Sequence, residues 1–213
     1  MNLNNESMTL FIPILGKAKM SEKSLFIKDI KAEEIIKNIE YDFSKQKQSK
    51  WLSMYMALRA RIIDDICNEI LKENSNVTVI HLGCGLDSRA FRVNQRYNMW
   101  YDIDFKNVIE LRKKFYSESK KYKMIGKNVT DLSWLDDIMT ESNSILIVAE
   151  GLTMYLSEDD LKNVVNAIDK KFKKPTLIFD AYTNKAVRTS KYKNPVNQMN
   201  ASVKWGMDNK SDF

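Results

Sequence analysis

Histidine is almost missing from this 213-residue chain: His81 is the only one, and Cys67 and Cys84 are the only cysteines. So few soft ligands do not frame a zinc or iron–sulfur site, and two thiols do not staple a small secreted fold. The expected compartment is the reducing cytoplasm. Chemistry run by an imidazole base is also disfavoured, since His81 lies inside the apolar run Val77–Leu82, where a core or strand-end histidine is the plain reading. Proline (three) and glycine (six) are scarce, and neither repeats nor low-complexity linkers break the chain. No apolar run approaches the roughly 20 residues of a membrane span. The short apolar piece from Leu10 to Leu15 contains Pro13 and is no secretory signal. Neither a membrane nor a leader is expected.

What is present describes one globular domain with a sizeable core. The net charge is +6, carried by lysines scattered over helical segments such as Lys113-Lys114, Lys120-Lys121 and Lys170–Lys174. A nucleic-acid binder concentrates its cations in a stripe interleaved with aromatics, so no nucleic-acid partner is expected. Mild positive charge still favours an anionic substrate.

Residues 1–43 read as a cap of short helices, with Asp29–Asn38 one helix whose apolar face is Ile30, Ile35, Ile36 and Ile39. Ser44–Lys72 reads as a long amphipathic helix, with Trp51, Tyr55, Leu58, Ile62, Ile66 and Ile70 at helical spacing on one face. From Val77 the pattern alternates. Strands are expected at Val77–Leu82, Met99–Ile103, Tyr122–Gly126, Ser144–Ala149 and Thr176–Asp180, with helices at Val108–Tyr116 and after Ser157, where Asp160 completes a capping-box-like start. Strands alternating with helices build a doubly covered parallel sheet with right-handed crossovers. Ligands then bind beyond the carboxyl ends of the strands, where Gly83, Asp104, Glu150 and Asp180 fall.

The most informative stretch is Val77–Phe105. A β-branched run ends in Gly83-Cys84-Gly85, and a second apolar run ends in Asp104. Glycine lets a backbone approach a ligand with no Cβ in the way. An acid about 20 residues on takes the two hydroxyls of a ribose. This describes a site for an adenosine-bearing cofactor, although a G-x-G alone is equally a tight turn. A dinucleotide fingerprint needs a third glycine, and Ser88 stands there. With no diphosphate to cradle, a single nucleoside such as S-adenosylmethionine fits better than a nicotinamide dinucleotide, the rival oxidoreductase reading.

Four segments carry a resemblance: Leu58–Asp65 (LRARIIDD), His81–Arg89 (HLGCGLDSR), Trp100–Asp104 (WYDID) and Ala149–Leu156 (AEGLTMYL). Together they resemble the leucine carboxyl methyltransferase family, in particular its bacterial branch similar to polyketide-biosynthesis O-methyltransferases, over roughly residues 9 to 208. The resemblance implies a class I, Rossmann-like methyltransferase fold and transfer of a methyl group from S-adenosylmethionine to a small-molecule carboxylate, releasing S-adenosylhomocysteine. It also implies roles. Arg59 matches the arginine that holds the methionine carboxylate, a contact suited to a planar fork of donors. Gly83 and Gly85 match the cofactor loop, and Asp104 the ribose acid. Asp131 matches the acid facing the adenine amino group, with the Leu132 amide on the ring; a helix cap is the other reading of Asp131. Glu150 matches the acid near the methionine amino end, and Lys17 a basic residue over the site. Tyr155 is either an orienter of the acceptor or an aromatic packing its loop.

Methyl transfer to a carboxylate needs no general base, because the acceptor is ionised at neutral pH. No catalytic acid or base is therefore named. Two departures stand out. Lys106 occupies the place of the family's usual proline after the ribose acid. The polar residues after Asp180 carry little strand signal, so the family's two closing strands are expected to be missing. Such a sheet would leave its fifth strand as an open edge available for self-association, and would fit a relative that binds cofactor or a partner without turnover.

Overall fold

The computed structural model describes residues 5–46, 48–142, 144–190, 192, 196 and 201–209. Five strands form one parallel sheet: β1 (Val77–Leu82), β2 (Met99–Asp104), β3 (Tyr122–Gly126), β4 (Ser144–Ala149) and β5 (Thr176–Phe179), in the order β3-β2-β1-β4-β5. Chain direction across the sheet reverses between β1 and β4, which opens a crevice at their carboxyl ends. β1 is buried at every position and β4 at all but its first. Both lack apolar–polar alternation because helices cover both faces.

The helices are α1 (Asn5–Met8), α2 (Phe11–Ser21), α3 (Ile30–Asn38), α4 (Lys50–Glu73), α5 (Arg89–Arg92), α6 (Lys106–Arg112), α7 (Glu158–Lys171) and α8 (Asn184–Thr189). One core layer joins the cap, α4 and α6 to one face of the sheet around Ile63, Val79, Trp100 and Leu146. The other packs α7 and the 3-10 turn Leu132–Asp137 against Ile80, Ile103 and Ile147.

Capping chemistry sets the boundaries. Asp29 accepts from the Ala32 amide to open α3, and Ser157 accepts from the Asp160 amide to open α7. The long helix starts at Lys50 instead of Ser44, because Ser49 caps it and Asp42 caps a separate 3-10 turn at Phe43–Lys45. Helix α6 ends at Arg112, short of Tyr116, and Ile30 is exposed.

Helix α4 turns most of its apolar stripe to solvent: Trp51, Tyr55, Leu58, Ile62 and Ile66 are all exposed, Trp51 at 79%, and only Ile70 packs against the core. The buried face is Ser53, Met56, Ala57, Ala60, Ile63, Cys67 and Leu71. Small side chains there let α4 lie close against the cap, so the bulky stripe points outward. Beyond β5, the described residues add α8 but no further strand, and β5 is an edge. No described helix is long and apolar enough to cross a membrane.

Candidate active site

A cavity of about 540 Å³ opens at the carboxyl ends of the central strands, walled by the cap on one side and by α8 and residues 203–204 on another. Of the residues singled out from sequence, Lys17, Arg59, Gly83, Gly85, Asp104, Glu150 and Tyr155 all line it.

The glycine loop follows from the register of the sheet. Leu82 pairs with Ile103, so the ends of β1 and β2 lie side by side. The Gly83 and Cys84 amides both donate to the Ile103 carbonyl, at 2.8 and 3.2 Å. Gly83 and Gly85 have φ of +63° and +50°, the left-handed region that favours glycine. Asp104 closes the loop from the other side: Oδ2 accepts from the Gly85 amide at 2.8 Å and Oδ1 from the Phe105 amide at 2.7 Å. Burial raises its pKa above the ordinary aspartate value, against the pull of those two amides.

Across the cavity, Arg59 on α4 reaches the tips of β4 and β5. Its Nε donates to Glu150 Oε1 at 2.9 Å and its Nη1 to Asp180 Oδ2 at 3.0 Å. Asp180 also accepts from the Gly151 amide at 2.5 Å through Oδ1. The second oxygen of Glu150 takes a close hydrogen bond from Arg89. Burial alone would raise the Glu150 pKa; Arg59 and Arg89 outweigh it and hold the carboxyl at about 2.

Lys17 is fully buried, and its Nζ donates to Asp87 Oδ2 at 2.6 Å. Asp87 also accepts from Arg92 at 2.7 Å; burial opposes its ionisation, but Arg92, Lys17 and Arg89 hold its pKa well below the usual range. Ser88, where a dinucleotide site has its third glycine, is buried and donates to Asp29 Oδ1 at 2.7 Å, tying the loop to the cap. His81 is buried in β1, with Nε2 3.3 Å from Arg89 Nη1 and Nδ1 3.4 Å from Asp102 Oδ1. Tyr155 follows β4 on a 3-10 turn, and burial pushes its phenol up to about 12.

Two expected residues are elsewhere. Asp131 is exposed, and its carboxylate caps the turn beginning at Leu132 by accepting from the Ser133 amide at 3.2 Å. Leu132 lines a separate shallow depression with Thr130 and residues of α7. The cavity is bordered instead by Asn128, Val129 and Thr130, just upstream. In this structure Asp131 makes the cap.

Sequence reasoning missed the second ring of charge. Asp87, Arg89 and Arg92 follow the glycines directly, and their clustering was the available signal. Asp180 was visible only as an acid at a strand end. The arrangement as a whole offers a Cβ-free backbone loop, an acid at one rim, and an arginine–glutamate pair at the other. Apolar side chains line the rest, among them Ile12, Pro13, Leu52 and Met56. Such a cavity can hold a polar, zwitterionic nucleoside beside an apolar molecule.

Comparisons with known proteins identify the family and the fold. A family profile, leucine carboxyl methyltransferase, matches residues 15–169. The tetracenomycin polyketide synthesis O-methyltransferase TcmP of Streptomyces glaucescens is 36% identical over 85% of this chain, which spans 67% of that relative's length. An S-adenosyl-L-methionine-dependent methyltransferase of Gibberella zeae, dpfgK, is 28% identical over 97% of this chain and 76% of its own. Among solved structures, an S-adenosylmethionine-dependent methyltransferase from Anabaena variabilis superposes with a TM-score of 0.53 at 12% identity, covering 73% of this chain and 68% of that one. Magnesium protoporphyrin IX methyltransferase from Synechocystis with bound S-adenosylhomocysteine gives 0.52 at 9% identity, covering 93% and 84%. At such identities the structural likeness speaks for the fold, a class I methyltransferase sheet.

Proposed function

This chain belongs to the leucine carboxyl methyltransferase family of S-adenosylmethionine-dependent O-methyltransferases, and from that membership we propose that it methylates a carboxylate of a small, largely apolar molecule. The observation that carries the acceptor class is the state of the ionisable groups around the cavity. Glu150 is held at about 2 by its two arginines, and Tyr155 is pushed up to about 12. Lys17 is tied to Asp87. Neither Glu150 nor Tyr155 is poised to take a proton at neutral pH, and a carboxylate, already ionised, asks for no such group.

The residues present fit the cofactor. The Gly83–Gly85 loop admits a nucleoside against bare backbone, and we assign Asp104 to its ribose hydroxyls. Asn128, Val129 and Thr130 border the adenine in our assignment, in place of Asp131 and Leu132. Arg59 and Lys17 take the methionine carboxylate, and Glu150 the ammonium group. When bound, S-adenosylmethionine supplies a methyl group on a cationic sulfur. The protein's part is to align the acceptor oxygen and exclude water, which can lower a barrier by about 7–11 kcal/mol. Tyr155 and the apolar wall of Ile12, Pro13, Leu52 and Met56 would orient the acceptor. A polyketide-like acid suits this wall, in keeping with the product class in the TcmP relative's name.

The test is calorimetry followed by single-turnover transfer to a panel of apolar carboxylic acids and phenols. The reading expects micromolar binding of S-adenosylmethionine and S-adenosylhomocysteine, no binding of NAD, and transfer to acids. Transfer to phenols alone would overturn the acceptor class. A failure of both sulfur compounds to bind would overturn the site assignment.

A further inference from the structure

The outward stripe on α4 is the largest feature that the methyl-transfer site leaves unused. Trp51, Tyr55, Leu58, Ile62 and Ile66 are exposed at 79, 50, 44, 51 and 37%. They recur at helical spacing along a face about 22 Å long, at 1.5 Å per residue. With side chains of this size offering ~150–250 Å² when fully open, the stripe places roughly 500 Å² of mostly apolar surface in water. That is at the upper end of what a monomer leaves exposed in one patch.

We propose that this face is the interface of a two-fold homodimer in which α4 of one copy lies antiparallel to α4 of the other. Three features of the helix fit a second copy of itself. The pattern is self-complementary. With the axis between Leu58 and Arg59, Trp51 of one copy faces Ile66 of the other, and Tyr55 faces Ile62. Each broad aromatic then meets a β-branched residue, as an isologous contact requires. Charge follows the same symmetry. Lys50 stands at the amino-terminal end, whereas the carboxyl-terminal end carries Glu69, Lys72 and Glu73, all exposed. Antiparallel packing brings Lys50 near the partner's Glu69 and opposes the two helix dipoles. The area reaches the minimum, because complete burial of two such stripes would remove ~1,000 Å² in total, the threshold for a specific interface.

Sedimentation velocity from 1 to 100 µM tests the proposal on the 213-residue chain. A species of twice the 24.9 kDa chain mass is expected. Leu58→Glu, which sets two carboxylates against each other beside the axis, should weaken association at least 100-fold while leaving the melt and S-adenosylhomocysteine affinity unchanged. Glu69→Lys should weaken it about 10-fold, and adding Lys50→Glu should restore it. Under mild oxidation Leu58→Cys should form a covalent dimer, and Ile30→Cys, exposed on the cap, should not. A monomer at 100 µM overturns the proposal. So does a dimer indifferent to Leu58→Glu, which would place association elsewhere, such as the open edge of β5. Failure of the double charge reversal to restore association would overturn the antiparallel arrangement.

Discussion

Replacing Asp104 by asparagine separates two things its carboxylate does. In the folded protein the group accepts from the Gly85 and Phe105 amides, yet burial raises its pKa above the ordinary value. The sign of the linkage is then fixed. A raised pKa means that the neutral form suits the fold better than the charged one. The stability tied to protonation is complete below the unfolded-state pKa and is lost as pH rises through the folded value. At neutral pH the charge is a cost to the empty protein, retained for the ligand. Asparagine keeps one acceptor oxygen and removes the charge. Hydrogen bonds to a charged acceptor contribute roughly 1.5–3 kcal/mol, so the variant should bind S-adenosylhomocysteine about 10- to 100-fold more weakly. Its amide NH2 leaves one of those two backbone N–H groups unpaired, so the pH dependence of the melt and not its absolute height reports the charge: relative to the variant, the parent should gain stability as pH falls through the folded pKa. Calorimetry and melts from pH 7 to 4 measure both. An unchanged affinity would remove Asp104 from the site, and a parent–variant gap that does not change with pH would refute the account of its burial.

Glu150→Gln leaves Arg59 and Arg89 without their shared anion, and breaking such a buried pair costs about 3–5 kcal/mol; because the native carboxyl is held at about 2, the parent's advantage should be full above the unfolded glutamate range and shrink as pH falls toward 2, read by urea unfolding. Gly83→Ala forces a Cβ at φ +63° within 3.1 Å of Leu152; the left-handed strain of roughly 1–2 kcal/mol should show in the melt, with a larger loss in cofactor binding. Under saturating cofactor, single-turnover methyl transfer should be flat from pH 6 to 9, and Tyr155→Phe should change its height but not its shape; a tenfold rise per pH unit would replace the carboxylate acceptor with a phenol.

The sheet was legible because parallel, doubly covered strands print as unbroken runs of Val, Ile and Leu. All five strands start where expected; three, including Val77–Leu82 and Ser144–Ala149, also end there, while β2 runs one residue further to Asp104 and β5 stops one short at Phe179. The glycine loop and Asp104 were legible because positive φ and a strand-end acid demand particular residues. The face of α4 was not, since amphipathic periodicity marks an apolar stripe without saying which neighbour it meets. Here a close-packed face of Ala57, Ala60 and Cys67 won the interior. Asp131 was ambiguous for a related reason: an aspartate before a serine caps a turn as readily as it meets a base. The pairings of Arg89 and Arg92 with Asp64 and Asp29 span long stretches of sequence, and no local pattern encodes them.

Those pairings also fix one wall of the cavity. Arg92 touches Asp29 of the cap at 2.8 Å, Asp64 of α4 at 2.7 Å and Asp87 of the loop at 2.7 Å, while Lys17 of the cap holds Asp87 at 2.6 Å. Swinging α2 and α3 away as a hinged cover would strand these charges in a half-dry interior, at several kcal/mol for each bond broken. On the opposite wall α8 buries none of its residues, while residues 204–205 are bound to the Met154 carbonyl by backbone hydrogen bonds of 2.7 and 3.3 Å and Trp205 is buried beside Phe179. The cap is thus a fixed frame of the cavity, locked to the loop and to α4 by its charges.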